Sequence, residues 1–374
     1  MISISTRRSR TLRWIPTWSG CARNRSKPSA EACRVDCKQR GRPCWSICHL
    51  SRQSHCCGPI HLGRATLSIT CWLKSGFWRS ALINTIGFIG VGNMGSRMAN
   101  RLAAAGHDVT VCDAYAPALQ PFVARGIQSS TKPIDVARKD IVILMVADDD
   151  QLLAVVSGEH GLISGIDPEM PPLLLIMSTG LPRTMEAVRQ AVTLLGVRVI
   201  EAPVSGGVGG AERGTLSIMM GGEQADIDEA MPIVNVLGNN VFRCGAFGSA
   251  QTVKLINNMI GLANLYVSAE AFEIARKSGV DLLLLGTILE ASTGRNFVSR
   301  DIKTSCFQYA NWASSPEAFD DLSRIVRKDM KLAVSLAEDL GIDAGVLKTI
   351  ANVLGDTSPR VFERWNALGR LSFK

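Results

Sequence analysis

The stretch "TIGFIGVGNMGSRMANRLAAAGHDVTVCDAYAP", starting at Thr85, leaves the chain little freedom. Ile86, Phe88 and Ile89 read as a strand, and Gly90, Gly92 and Gly95 form a G-x-G-x-x-G turn after it. Met94 to Ala105 reads as a helix, with Met94, Met98, Leu102 and Ala105 on one face and Gly106 ending it. "DVTVC" is a second strand, and Asp113 follows it, 18 residues after Gly95. A lone glycine pattern of this kind is weak evidence. One that leaves a strand, opens a helix and is answered by an acid at the end of the next strand predicts a dinucleotide-binding unit. Gly90 allows the tight turn, Gly92 lets the backbone approach a pyrophosphate, and Gly95 lets helix and strand pack closely. Asn93 and Met94 stand where the helix N-terminus faces the phosphates. Asp113 is placed to accept hydrogen bonds from the adenosine ribose. A carboxylate there repels a 2′-phosphate, and no arginine follows at once, so the expected cofactor is NAD, with NADP disfavoured.

Strand-like runs continue at "IVILMV" (141–146), "LLLIMS" (173–178), "VRVIEA" (197–202), "TLSIMM" (215–220) and "VFR" (241–243). Helix-compatible stretches separate the first of these. The expected fold is therefore an α/β Rossmann-type, doubly wound domain over 85–245. Ligands gather at the carboxyl ends of such strands, where "VAD" (Val146 to Asp148) and "STGLP" (Ser178 to Pro182) fall. Thr179 there suits the nicotinamide ribose; a turn or helix-capping role is equally open. Beyond "VFRCGAFG" the pattern is all-helical over 246–374. Its long helix, at about 250–277, is apolar nearly all round, which predicts a buried helix, often one between subunits.

Charge is unevenly spread. The net is +8, yet residues 1–84 hold 15 Lys and Arg against 2 acids, leaving the body 26 basic and 31 acidic residues. A basic groove for nucleic acid is not indicated in the body. Eight of the 11 cysteines also lie in 1–84, and the body keeps Cys112, Cys244 and Cys306, as suits a reducing compartment. No apolar run is long enough to span a bilayer. Residues 1–84 have no sustained period, and three readings stand for them. The cluster Cys33, Cys37, Cys44, Cys48, His49, His55, Cys56 and Cys57 reads as zinc ligands, though its pairs are spaced by three residues, the loop between them is short and few apolar residues follow to form a finger core. "MISISTRRSRTLRW" reads as an organellar transit peptide. The favoured reading is a start assigned too far upstream, with the working chain beginning near Asn84. The expected compartment is then the cytoplasm, or the mitochondrion if the leader is a transit peptide.

Two further stretches carry chemistry. In "EAPVSGGVGGAERGTLSIMMGG" (201–222), Ser205, Gly206 and Gly207 follow a strand with little side-chain bulk. Such a run exposes backbone N–H groups that cradle an anion, here a carboxylate; a flexible turn is the plain alternative. "KLINN" (254–258) places Lys254 one turn before Asn258 on the long helix, as a surface lysine or as a proton donor aimed into a cleft.

Four motifs in order, "GFIGVGNMG", "EAPVSGGVGGAERGTL", "GAFGSAQTVKLINN" and "KDMKLA", resemble the β-hydroxyacid dehydrogenase family over about residues 85–340. The resemblance implies that Lys254 is the catalytic lysine and that Asn258 holds substrate and lysine in place. It implies that Ser205, Gly206 and Gly207 bind the substrate carboxylate. Val146, Ala147, Gln151 and Thr179 would line the cofactor, and Lys328 would close over its nicotinamide end. It implies a small hydroxy-acid substrate and a homodimer or homotetramer. Glu201 departs from the family's usual Asp, and Ala250 from a frequent glycine. Asn257 stands where 6-phosphogluconate dehydrogenases carry a histidine, and an imine reductase would be expected to lack the lysine. Past Gly341 the family's terminal pattern is missing. No metal-ligand set is expected in the body, whose histidines are His107 and His160. A partly dry lysine lowers its pKa enough to exchange the hydroxyl proton. The alternative is a non-catalytic cofactor-binding module that docks nucleic acid through its basic leader.

Overall fold

A computed structural model describes residues 85–373. The readings of the leader lie outside the described residues. The first half alternates strand and helix: β1 (Thr85–Ile89), α1 (Gly95–Ala104), β2 (Asp108–Cys112), α2 (Gln120–Val123), β3 (Ser129–Ser130), β4 (Ile141–Leu144), α3 (Asp149–Ser157), β5 (Leu173–Ile176), α4 (Pro182–Thr193) and β6 (Arg198–Glu201). These six strands are all parallel, in the order β3-β2-β1-β4-β5-β6. That is the strand order of a dinucleotide-binding Rossmann sheet.

The apolar runs explain the layering. "IVIL" in β4 and "LLLI" in β5 are buried at every residue. Ile141, Ile143, Leu173 and Leu175 pack on one side with Met98, Ala99 and Leu102 of α1. Val142, Leu144, Leu174 and Ile176 pack on the other with Leu152 of α3 and Met185 and Val188 of α4. A strand covered by helices on both faces has no reason to alternate with polar residues, so it reads as a continuous apolar run.

After β6 the chain forms β7 (Val204–Ser205), α5 (Gly207–Arg213), β8 (Leu216–Gly221), α6 (Gln224–Leu237) and β9 (Gly238–Gly245). Here the sheet stops being parallel throughout. β8 runs antiparallel to β6 and β7, and β9 is parallel to β8. The second half is helical: α7 (Ser249–Lys277), α8 (Leu282–Glu290), α9 (Ile302–Trp312), α10 (Pro316–Asp339), α11 (Gly345–Val353) and α12 (Pro359–Gly369). Its core is aromatic. Trp365 is fully buried, with the rings of Tyr309 and Phe319 edge-on to it at 4.9 and 5.3 Å. Such tilted pairs are favoured by the ring quadrupoles.

The long helix α7 is buried on one side only within the described residues. Leu255, Leu265, Ala269 and Phe272 are buried within the chain. Val253, Ile256, Ile260, Val267 and Ile274 are uncovered, 41–66% exposed, and recur every three, four or seven residues along one stripe. Apolar composition all round predicts burial only if something covers every face, and among the described residues one face of α7 has no cover. Among the described residues no helix is long and apolar enough to cross a membrane.

Candidate active site

The glycine turn after β1 is built as the spacing predicts. Gly90 has a φ of +91°, and a Cβ there would lie 2.3 Å from the carbonyl oxygen of Met145. At Gly95 a Cβ would lie 1.9 Å from the carbonyl oxygen of Gly90, which is why helix and strand approach so closely. Gly92 is different: a Cβ there would meet nothing within 4 Å. Its bareness serves no packing need, and it leaves open the space that a pyrophosphate would fill. Asn93 is exposed and Met94 is the residue before α1, so their N–H groups stand at the helix start. Arg97 donates from Nη1 to the carbonyl of Asn93 at 2.7 Å. Asp113 follows β2 with both carboxylate oxygens engaged: Oδ2 accepts from Val91 N at 2.8 Å, and Oδ1 from Tyr115 N at 2.9 Å. Its carboxylate is thus fixed beside the turn, with lone pairs left for ribose hydroxyls. These residues fit a dinucleotide.

At the ends of β4 and β5, Val146 N donates to Ser178 Oγ at 2.8 Å. Ala147 N donates to the side-chain carbonyl of Gln151 at 3.1 Å, so Gln151 supports the loop that is expected to line the cofactor. Thr179 is half-buried beside them, and Lys328 Nζ of α10 reaches its carbonyl oxygen at 3.4 Å.

Lys254 lies in the second turn of α7 and is 6% exposed. Burial lowers its pKa to about 8; Asp329 opposes that shift and Lys328 adds to it. Asn258, one turn on, donates from Nδ2 to Asp329 Oδ2 at 2.7 Å. Lys328 Nζ lies 3.0 Å from Asp329 Oδ1. Lys254, Asn258, Lys328 and Asp329 therefore form one cluster, linked through Lys328 to Thr179. Ser205 ends β7, Gly207 opens α5 and Gly206 joins them in a separate turn, with φ of +127° and +62° at the two glycines. Gly206 and Gly207 are exposed. A Cβ at Gly207 would meet nothing within 4 Å, so this loop too keeps its backbone open. Among the described residues no hydrogen bond joins it to the lysine cluster.

Three participants are not assigned by the sequence pattern. Asp329 is buried at 6% exposure and is the partner of both Asn258 and Lys328. Its signal was an acid at core spacing, between Val326, Met330 and Ala333 on the buried face of α10. Gln251 is fully buried; its amide nitrogen donates to Ser178 O at 2.8 Å, and its oxygen accepts from Gly180 N at 3.2 Å. Glu201, noted in the sequence only as a departure, is fully buried at the end of β6.

Fold and site define a class: a dinucleotide-binding α/β protein whose helical half sets a buried lysine cluster against the carboxyl ends of the sheet. Comparison narrows it. Residues 85–245 match the family model described as the NAD-binding domain of 6-phosphogluconate dehydrogenase. Residues 248–361 match the family model described as NAD-binding of NADP-dependent 3-hydroxyisobutyrate dehydrogenase. A 3-hydroxyisobutyrate dehydrogenase of Pseudomonas aeruginosa is 32% identical over 262 residues, covering 68% of this chain and 85% of that protein. The mitochondrial 3-hydroxyisobutyrate dehydrogenase of Rattus norvegicus is 36% identical over 56% of this chain; the match spans only 62% of the rat protein's length. Among solved structures, the Mycobacterium tuberculosis 3-hydroxyisobutyrate dehydrogenase with L-serine is similar at a TM-score of 0.60 and 28% identity. That match covers 72% of this chain and 92% of that one. The chain belongs to the β-hydroxyacid dehydrogenase family.

Proposed function

We propose that this protein moves a hydride between a nicotinamide cofactor and a small β-hydroxy acid or its semialdehyde, as a 3-hydroxyisobutyrate dehydrogenase does. The observation that carries the reading is Lys254: nearly dry, with a pKa of about 8, in one cluster with Asn258 and Asp329. A group with a pKa near the working pH exchanges protons efficiently. In oxidation, Lys254 takes the hydroxyl proton; in reduction, it returns one to the carbonyl oxygen. Asp329 holds Asn258 and Lys328 in place through contacts on both its oxygens. Ser205, Gly206 and Gly207 offer backbone N–H groups to the substrate carboxylate, and this fixes the distance to the reacting carbon. When bound, the nicotinamide ring supplies the hydride acceptor or donor. The test is a panel of β-hydroxy acids (3-hydroxyisobutyrate, glycerate, threonate and 4-hydroxybutyrate) with each cofactor. No turnover of any of them would refute the assignment.

NAD is the proposed cofactor; the reading is supported by the carboxylate of Asp113, fixed beside the glycine turn, which would repel a 2′-phosphate. NAD is expected to exceed NADP in kcat/KM by at least about tenfold, equivalent to ~1.4 kcal/mol of charge repulsion. Asp113→Asn narrows that gap. A wild-type preference for NADP would sink the assignment.

The proposed assembly is a homodimer or homotetramer, supported by the uncovered apolar stripe on α7. A free chain with Ile260 and Val267 at 52% and 64% exposure carries a contiguous surface that association would bury. Ile260→Glu with Val267→Glu is expected to yield monomers by sedimentation, while a wild type that sediments as a monomer removes the proposal. Three free cysteines in the described residues accord with a reducing cytoplasm. The alternative of docking on nucleic acid rests on the leader, outside the described residues, and none of these relatives is described as a nucleic-acid binder.

A further inference from the structure

Helix α7 begins without a cap of its own. The residue before it, Gly248, is left-handed (φ +95°) and has no side chain to offer the first N–H groups. Glu201 supplies what is missing from another element. It sits at the carboxyl end of β6, is 0% exposed, and accepts from Gly248 N at 2.7 Å through Oε2. The N–H groups of Ala250 and Gln251 also act on it. The fit is close on the far side as well. A Cβ on Gly221 of β8 would lie 2.8 Å from Oε2 and 3.1 Å from the Ala250 methyl. The other carboxylate oxygen, Oε1, is buried with no hydrogen-bond partner. A carboxylate left half-satisfied in a dry site is costly, and helix capping alone does not require one: Ser or Thr in the extended conformation before a helix caps without burying a charge. What this arrangement adds is a rigid tie between the last parallel strand and the turn of α7 that precedes Lys254.

We propose that Glu201 is a positioning residue for the reaction: its buried carboxylate seats the first turn of α7 and so sets where Lys254 stands relative to the nicotinamide end of the cleft. This rests on the reading of Lys254 as the proton-exchanging group. The groups facing Glu201 are few. β8 presents Gly221, β5 presents Ile176 across the strand register, α7 presents backbone N–H groups, and β9 presents the thiol of Cys244, the titratable side chain among them. Burial pushes the Glu201 carboxyl up to about 7, and the N–H groups only partly offset it. Ionised, Glu201 makes charge-assisted bonds to the positive end of α7; protonated, it keeps a weaker acceptor there. The seating of Lys254 therefore firms as pH rises through about 7.

Glu201→Gln tests this, because the amide keeps the shape and the acceptor and removes the charge. Three readouts are taken on the full chain: NADH affinity by fluorescence, the pH profile of kcat for a β-hydroxy acid, and the titration of Lys254. The last comes from its rate of labelling by acetic anhydride, read by mass spectrometry across pH. NADH affinity is expected to stay within about twofold, since the glycine turn and Asp113 are untouched. kcat is expected to fall by roughly 10- to 100-fold, the scale of a small misplacement of a reacting group. The limb near pH 7 is expected to vanish, and the labelling midpoint of Lys254 to move. If Glu201→Gln folds poorly, Glu201→Asp replaces it, keeping the charge and withdrawing the oxygens by one methylene; kcat is again expected to fall at unchanged NADH affinity. Unchanged kcat and unchanged Lys254 titration in a folded variant would overturn the proposal, as would a loss of melting temperature with kcat per folded site intact. The labelling needs no substrate. A shifted Lys254 midpoint in a protein that turns over no hydroxy acid would refute the proposed function and still support the positioning.

Discussion

Lys254→Met is expected to slow hydroxy-acid turnover by roughly 10²–10⁴-fold, the usual worth of a positioned acid or base. Methionine keeps the length of the stem and removes the ammonium, so packing in the second turn of α7 survives. NADH affinity is expected to hold, because the glycine turn and Asp113 belong to the other half of the chain. Lys254→Arg is not expected to rescue turnover, since a guanidinium does not give up its proton. The pH dependence follows in sign. With a pKa of about 8, the lysine is charged at neutral pH. Oxidation needs it neutral to accept the proton, so kcat/KM for oxidation rises with pH through about 8. Reduction needs it charged, so kcat/KM for reduction falls across the same range. Asp329→Asn removes the charge that opposes the burial shift and moves both limbs to lower pH. Near wild-type turnover in Lys254→Met would return "KLINN" to an ordinary helix.

Gly95→Ala is expected to weaken NADH binding by roughly 5- to 150-fold, the equivalent of the ~1–3 kcal/mol that overpacking costs. The added methyl would lie 1.9 Å from the carbonyl oxygen of Gly90, a backbone atom that cannot rotate away. Either α1 or the turn must shift, and both line the phosphate space. Gly92→Ala is the informative contrast. Its methyl meets no protein atom, so the fold is expected to be indifferent while cofactor affinity falls. Calorimetric melting without cofactor, beside a fluorescence titration with it, separates the two. A Gly92→Ala protein that binds NADH as tightly as wild type would mean that the space over the turn is not where the pyrophosphate lies.

The local half of this protein was legible in its sequence. The glycine turn, α1, β2 and Asp113 are governed by contacts within about thirty residues, and spacing alone predicts them. Lys254 stood out in the sequence through its motif, and the fold buries it rather than leaving it on the surface. The residues that fix it did not stand out, because their partners are distant in the chain: Asn258 meets Asp329 across 71 positions, Gly248 meets Glu201 across 47, and Gly180 meets Gln251 across 71. A periodicity reports which face of a helix is apolar, and nothing about which strand end it will meet. The same limit explains α7. Its apolar residues are plain in the sequence, but whether Ile260 or Val267 finds cover depends on what lies beside it, and among the described residues both stay exposed. The antiparallel turn of the sheet at β8 was also out of reach, since a strand's direction is set by the length and path of its connection.

Gln251 has a mechanical consequence. Its amide is clamped at both ends to the loop after β5, and its neighbour Ala250 lies hard against β8. A hinge needs a few residues free to absorb backbone rotation, and this end of α7 offers none. The root of the lysine helix and the cofactor sheet therefore travel as one solid piece. α10 is tied to the same piece: its Leu336 packs with Leu181 and Leu255, its Asp329 accepts from Asn258, and Arg183 reaches its Asp339 and Ser335. Lys254 thus stands as a post braced from two sides, by the cofactor sheet and by α10.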